Sequence, residues 1–102
     1  KTYGHITRSF CTPTCTKRLG GEAVVRSIMF HMHGHARRGL LRLVRAGKEL
    51  EPLGVVDPWD PAQAQNRVNR TVEPGDTLIL ECHYDNDLGV AITYGESMEK
   101  EM

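Results

Sequence analysis

The residues best suited to chemistry are the histidines of Phe30-His31-Met32-His33-Gly34-His35. They recur with a period of two. Successive strand side chains point to opposite faces, so a strand here puts His31 and His33 on one face, with His35 continuing the row if the strand persists. Their Cβ atoms would then lie roughly 6–7 Å apart, close enough for two imidazoles to converge on one metal ion. A lone His-x-His is a weak signal, and a solvated strand face rich in histidine has the same spacing. The three cysteines are the second chemical feature. Cys11 and Cys15 are separated by three residues, and Cys82 stands far downstream. Cys-x-x-x-Cys is not the thioredoxin spacing, and an odd total cannot close completely into disulfides within the chain. These thiols are therefore reduced, bound to metal, or paired outside the 102 residues.

The elements that must position these groups read as strands. The first twenty-two residues are polar and broken by Pro13, Gly20 and Gly21, which predicts an arm or loop over residues 1–22. From Ala23, Val24, Ile28, Phe30 and Met32 alternate on one side, and Val25, Met29, His31 and His33 on the other. This predicts a long strand whose histidine end points away from the core. Leu40 to Arg45 makes a second strand, and Ala46-Gly47-Lys48 turns the chain into a third near Glu49 to Val56. Asp57-Pro58-Trp59-Asp60-Pro61 is a loop, because its prolines lack the ladder donor. Gln65 to Val72 resumes the extended pattern, and Glu73-Pro74-Gly75-Asp76 is a turn. In Thr77 to Tyr84 the residues Leu78, Leu80, Cys82 and Tyr84 share a face, and a last strand runs from Leu88 to Tyr94. No segment carries a sustained helical period. Short strands with regular turn signals predict an all-β sandwich of one domain.

Composition narrows the functional classes. Thirteen basic and thirteen acidic residues cancel, so no global field favours nucleic acid or an anionic membrane. Arg37, Arg38, Arg42, Arg45 and Lys48 cluster, but they interleave with Leu40, Leu41, Leu43 and Val44, as on a solvated strand face. No apolar run approaches a membrane span. Lys1 is not a start methionine and no signal peptide is present, so the chain reads as a processed product or an excerpt.

With the strands placed, the sequence resembles the C-terminal copper domain of the copper type II ascorbate-dependent monooxygenases. Dopamine β-monooxygenase-like members are nearest. The resemblance runs in order from Ser9 to Met102. Its pieces are Cys11-Thr12-x-x-Cys15-Thr16, His31-x-His33, Arg42-Leu43-Val44-Arg45-x-Gly47-Lys48-Glu49, Pro74-Gly75-Asp76-x-Leu78-Ile79, Glu81-Cys82-x-Tyr84 and Glu101-Met102. It implies an antiparallel, jelly-roll-like sandwich over residues 23–102, truncated at its C-terminal end. It also implies copper held by His31, His33 and Met102, with ascorbate as electron donor and O2 as co-substrate. Spacing back from Gly95 favours Met102 over Met98. Imidazole suits copper in either oxidation state, and a thioether is a soft ligand that favours Cu(I). His35 is left beside the metal ligands or facing solvent, and His5 and His83 are surface histidines.

The same resemblance implies cysteine partners beyond Met102 for Cys11, Cys15 and Cys82, so that no two of the three bond to one another. Each such bridge stabilises by ~2–4 kcal/mol against a domain total of ~5–15 kcal/mol, so without them the domain is fragile. Met29 stands where peptide-amidating members carry an arginine for the substrate carboxylate. That disfavours a peptidylglycine and leaves a small, phenethylamine-like substrate. A second copper belongs to a preceding domain of the parent chain. The implied setting is secreted or lumenal (periplasmic or extracellular in a bacterium), and the sequon Asn69-Arg70-Thr71 suits a glycoprotein. Two other readings stand beside this one. One is a structural zinc- or copper-binding module without catalysis, with Cys11, Cys15, His31 and His33 as zinc ligands at a spacing no common finger uses. The other is a secreted binding domain.

Overall fold

In the computed structural model, which describes residues 4–85, two antiparallel sheets face each other across a shared core. The strands are β1 (Gly4–Cys11), β2 (Ala23–Ile28), β3 (Ala36–Arg45), β4 (Lys48–Glu49), β5 (Gly54–Val56), β6 (Asn66–Val72) and β7 (Thr77–Asp85). The larger sheet has the order β1-β7-β3-β4, with β5 also paired to β3, and the smaller consists of β2 and β6. One helical turn, α1 (Pro13–Thr16), and a 3-10 turn over Lys17–Leu19 are the helical pieces among the described residues. The all-β sandwich expected from the alternating pattern is the architecture observed. The expected strand from Leu88 to Tyr94, Met98 and Met102 lie outside the described residues.

The alternation of β7 sets the core. Leu78 packs with Leu43, Leu53 and Val72 in one cluster, while Cys82 and Tyr84 join Phe30, Met32, Ala36 and Trp59 in the other. Leu80, between them on the same face, remains 39% exposed. The turn between β3 and β4 uses left-handed backbone at Ala46 and Gly47, and Gly75 supplies it in the turn before β7.

Four sequence expectations are corrected. The N-terminal arm contains β1, which pairs along its length with β7, from Gly4 opposite Asp85 to Cys11 opposite Leu78. Its residues are mostly exposed, so no burial pattern announces it; the backbone ladder to β7 holds it. The long strand from Ala23 stops at Ile28, and a bulge against β6 intervenes between Val25 and Ser27. The bulge shifts the inward phase: Val25 and Ile28 reach the core, while Val24 is 50% exposed. The third strand is two short pieces, because Pro52 cannot donate to the ladder. Arg70 of β6 donates to the Glu51 and Pro52 carbonyls there, at 2.9 and 3.2 Å.

The fourth correction concerns the cysteines. Cys11 and Cys15 are disulfide-bonded, with Cα atoms 5.2 Å apart. The helical turn at Pro13 folds the chain back, as the Thr16 N–H donating to the Thr12 carbonyl at 3.0 Å shows. Residues four apart then become neighbours, which an extended arm would not allow. The bridge also carries Thr16 into a buried polar knot. The Thr16 hydroxyl donates to the Asp76 carbonyl at 2.7 Å and accepts from the Gly75 N–H at 3.0 Å. The Asp76 carboxylate receives Arg45 Nε and Nη2, both at 2.9 Å, and the Glu73 N–H at 2.7 Å. Those hydrogen bonds from Arg45 hold the Asp76 carboxyl below its usual range.

On the outer face, the arginines expected as a solvated row are tied into carboxylates. Glu81 receives His83 Nε2 at 2.8 Å, Arg8 Nε at 2.8 Å and Arg42 Nη1 at 3.3 Å. Arg42 also grips both oxygens of Glu49, at 2.7 and 2.8 Å. The hydrogen bonds from His83 and then Arg8 lower the Glu81 carboxyl from 4.5 to about 2. A carboxyl depressed on folding stabilises above its unfolded value, and that contribution is lost as the pH falls from 4.5 through about 2. Urea unfolding at pH 7 and pH 2.5 measures it. Discounting for the exposure of Arg8, the wild-type chain should lose about 2 kcal/mol more than Glu81→Gln between these two pH values. Parallel losses in the two proteins would show that Glu81 does not carry the effect.

Candidate metal centre

The histidine segment leaves β2 and crosses to β3 without strand pairing. Its alternation survives only as far as Met32, because Phe30 and Met32 are anchored in the core at 5% and 2% exposure. Gly39 of β3 permits that anchoring. A Cβ added there would lie 2.7 Å from the Phe30 ring and 3.1 Å from the Met32 methyl. Two inward side chains flanking His31 turn its imidazole outward, and His31 is exposed. His33 differs from expectation: it is 3% exposed rather than facing solvent. The chain bends directly after it, with the Ala36 N–H donating to the His33 carbonyl at 2.9 Å. His35 sits in that bend, half-buried, and does not continue a histidine row.

The structure brings the His31 and His33 rings together, with centroids 5.4 Å apart and planes at 85°. An imidazole nitrogen bonds a metal at about 2.0–2.1 Å, and two rings at this separation can both meet that distance to one ion between them. His31 Nδ1 lies 2.7 Å from Gln63 Oε1. With its proton on Nδ1 the ring donates to that amide oxygen, and the Nε2 lone pair is then left for a metal. The donor set therefore fits copper as far as two ligands go. Among the described residues no group of three or more His, Cys, Asp and Glu side chains is placed to hold a metal. The third expected ligand, Met102, lies outside them.

His5 is exposed, 6.4 Å from the Tyr84 ring, whereas His83 is half-buried against Glu81 rather than simply on the surface. The Cys11–Cys15 bond occupies both sulfurs that a zinc site would need as thiolates, which removes the zinc reading for Cys11, Cys15, His31 and His33. Cys82 is buried in the core cluster beside Tyr84. Sequence reasoning missed Trp59 and Gln63, treating their stretch as a plain loop. The indole N–H of Trp59 donates to the Phe30 carbonyl at 2.9 Å. A tryptophan amid prolines and aspartates was the one local hint, since an exposed loop seldom carries so large an apolar ring.

An all-β sandwich presenting a pair of imidazoles beside its core is thus on hand. Residues 3–102 match the copper type II ascorbate-dependent monooxygenase, C-terminal domain, and the chain belongs to that family. It is 33% identical over 96 residues to MOXD1 homolog 1 of Drosophila melanogaster, covering 89% of this chain and 14% of that protein. To DBH-like monooxygenase protein 1 of Gallus gallus it is 30% identical over 98 residues, covering 88% and 16%. The protein of the same name from Mus musculus is 31% identical over 93 residues, covering 83% and 15%. The chain spans about one seventh of the length of these curated relatives.

Proposed function

We propose that the chain is the oxygen-activating copper domain of an ascorbate-dependent monooxygenase that hydroxylates a substrate C–H bond. The observation that carries this reading is the His31–His33 pair, 5.4 Å apart within the C-terminal domain of a copper monooxygenase family. His31 and His33 hold the metal with Met102, whose soft thioether favours the reduced ion. When bound, copper would supply oxygen activation, one electron at a time. Met29, 50% exposed and two residues before His31, offers an apolar contact where a carboxylate-binding arginine would otherwise stand. A phenethylamine-like substrate fits that better than a peptidylglycine. Secretion or residence in a lumen is supported by the Cys11–Cys15 bridge, since such bonds persist in oxidising compartments. An exposed Asn69, the acceptor of its sequon, agrees with glycosylation there.

Hydroxylation takes two electrons beyond those of the C–H bond, and the family reading places the source of the second in a preceding copper domain. These 102 residues should therefore bind one copper and oxidise ascorbate without matching product. The measurement is oxygen consumed against alcohol formed, with copper, ascorbate and a phenethylamine supplied. Alcohol in stoichiometric ratio to oxygen, from this chain alone, would refute the division of labour proposed.

A further inference from the structure

We propose that Gln63 is a positioning residue for the metal centre, fixing which nitrogen of His31 faces the ion. The inference rests on the copper reading above. It begins with the placement of the loop between β5 and β6, which is tied to the histidine segment on both sides. Ahead of the histidines, the Trp59 indole N–H donates to the Phe30 carbonyl at 2.9 Å; beyond them, the Trp59 backbone N–H donates to the Arg37 carbonyl at 2.8 Å. Trp59 itself is 8% exposed within the core cluster. The loop therefore straddles residues 31–36 as a brace.

From that brace one side chain reaches the site. Asp60 builds the turn that aims it: its side chain accepts the Ala62 N–H at 2.9 Å, and its carbonyl accepts the Gln63 N–H at 2.9 Å. Gln63 closes the turn with φ at +52°, left-handed backbone that a residue with a Cβ adopts at a cost. The result of that conformation is the 2.7 Å contact between Gln63 Oε1 and His31 Nδ1. An imidazole in water prefers its proton on Nε2, the nitrogen that would then be blocked as a ligand. An acceptor held at Nδ1 reverses the preference and leaves Nε2 open. It also stops rotation of an exposed ring about its side-chain torsions, so His31 meets His33 in one orientation.

The test uses Gln63→Leu, which keeps the bulk and removes the acceptor, and Gln63→Glu, which keeps an acceptor. Long-range 15N–1H correlation of the metal-free chain near pH 8 reads the His31 tautomer directly. We expect the proton on Nδ1 in the wild type and in Gln63→Glu, and predominantly on Nε2 in Gln63→Leu. Cu(I) affinity, measured by competition with a chromophoric chelator, should fall about tenfold in Gln63→Leu and return to within a few-fold of wild type in Gln63→Glu. An unchanged tautomer in Gln63→Leu overturns the proposal. So does wild-type affinity in Gln63→Leu while His31→Ala loses copper, a result that leaves the metal site standing. Wild-type affinity in both Gln63→Leu and His31→Ala overturns the metal site, and the proposal with it.

Discussion

His31→Ala and His33→Ala should each reduce copper affinity by at least about 100-fold, roughly 2.7 kcal/mol, while His83→Ala leaves it unchanged. The reason is chelation. Two imidazoles held 5.4 Å apart by anchored neighbours bind as one preorganised unit, so losing either ring loses the second bond and the ordering already built in. The neighbours that hold them, Phe30 and Met32, stay in the core in both variants. His31 is exposed, so its truncation leaves the fold untouched; His33 is buried, and far-UV circular dichroism should accompany that variant. His83 lies on β7 in the Glu81 network and is the matched control. Competition titration with Cu(I) reads all three. Equal loss in the three variants would mean adventitious binding to surface imidazoles and would end the case for a centre at residues 31 and 33.

Asp76→Ala should be strongly damaging although it lies away from the site, costing about 3 kcal/mol and lowering the unfolding midpoint by roughly 15 °C. Asp76 is 1% exposed, and its carboxylate satisfies three donors at once. Truncation leaves the Glu73 N–H without its acceptor and Arg45 with only the Thr71 carbonyl at 3.0 Å and the Glu73 carboxylate at 3.2 Å. The cost lies in three hydrogen bonds to a charged acceptor lost together and in the Glu73 N–H left unmet, since Arg45, 32% exposed, keeps water and its other acceptors. The knot gathers Thr16, Arg45, Glu73 and Asp76, so it joins the disulfide-closed N-terminal segment to β3 and β7. It lies at the far end of β3 from the histidine bend. The variant should therefore lose stability yet bind copper normally while folded. A loss under about 1 kcal/mol by thermal unfolding would show that the knot is dispensable.

The parts of this protein legible in its sequence are those whose causes are local. β3, β6 and β7 follow from alternation, and the turns at Ala46-Gly47 and Glu73–Asp76 from residues that accept left-handed backbone or preset a bend. The pairing of His31 with His33 followed too, since a period of two persists wherever the chain is extended, even without a partner strand. The proposal that they are copper ligands came from the ordered resemblance of the whole chain, because His-x-His alone is chemically ambiguous. The tertiary structure decided everything that depends on a residue far away. β1 is a strand because β7 offers it a ladder, and its exposed residues carry no burial signal. Val25 rather than Val24 faces inward because β6 imposes a bulge. Arg42 and Arg45 are bound rather than solvated because Glu49 arrives from β4, Glu81 from β7 and Asp76 from the turn before β7. His33 is buried by a bend, and His31 is oriented by a glutamine 32 positions away. A sequence pattern records which face a side chain takes from its own backbone; it holds no record of what the fold brings to meet that face.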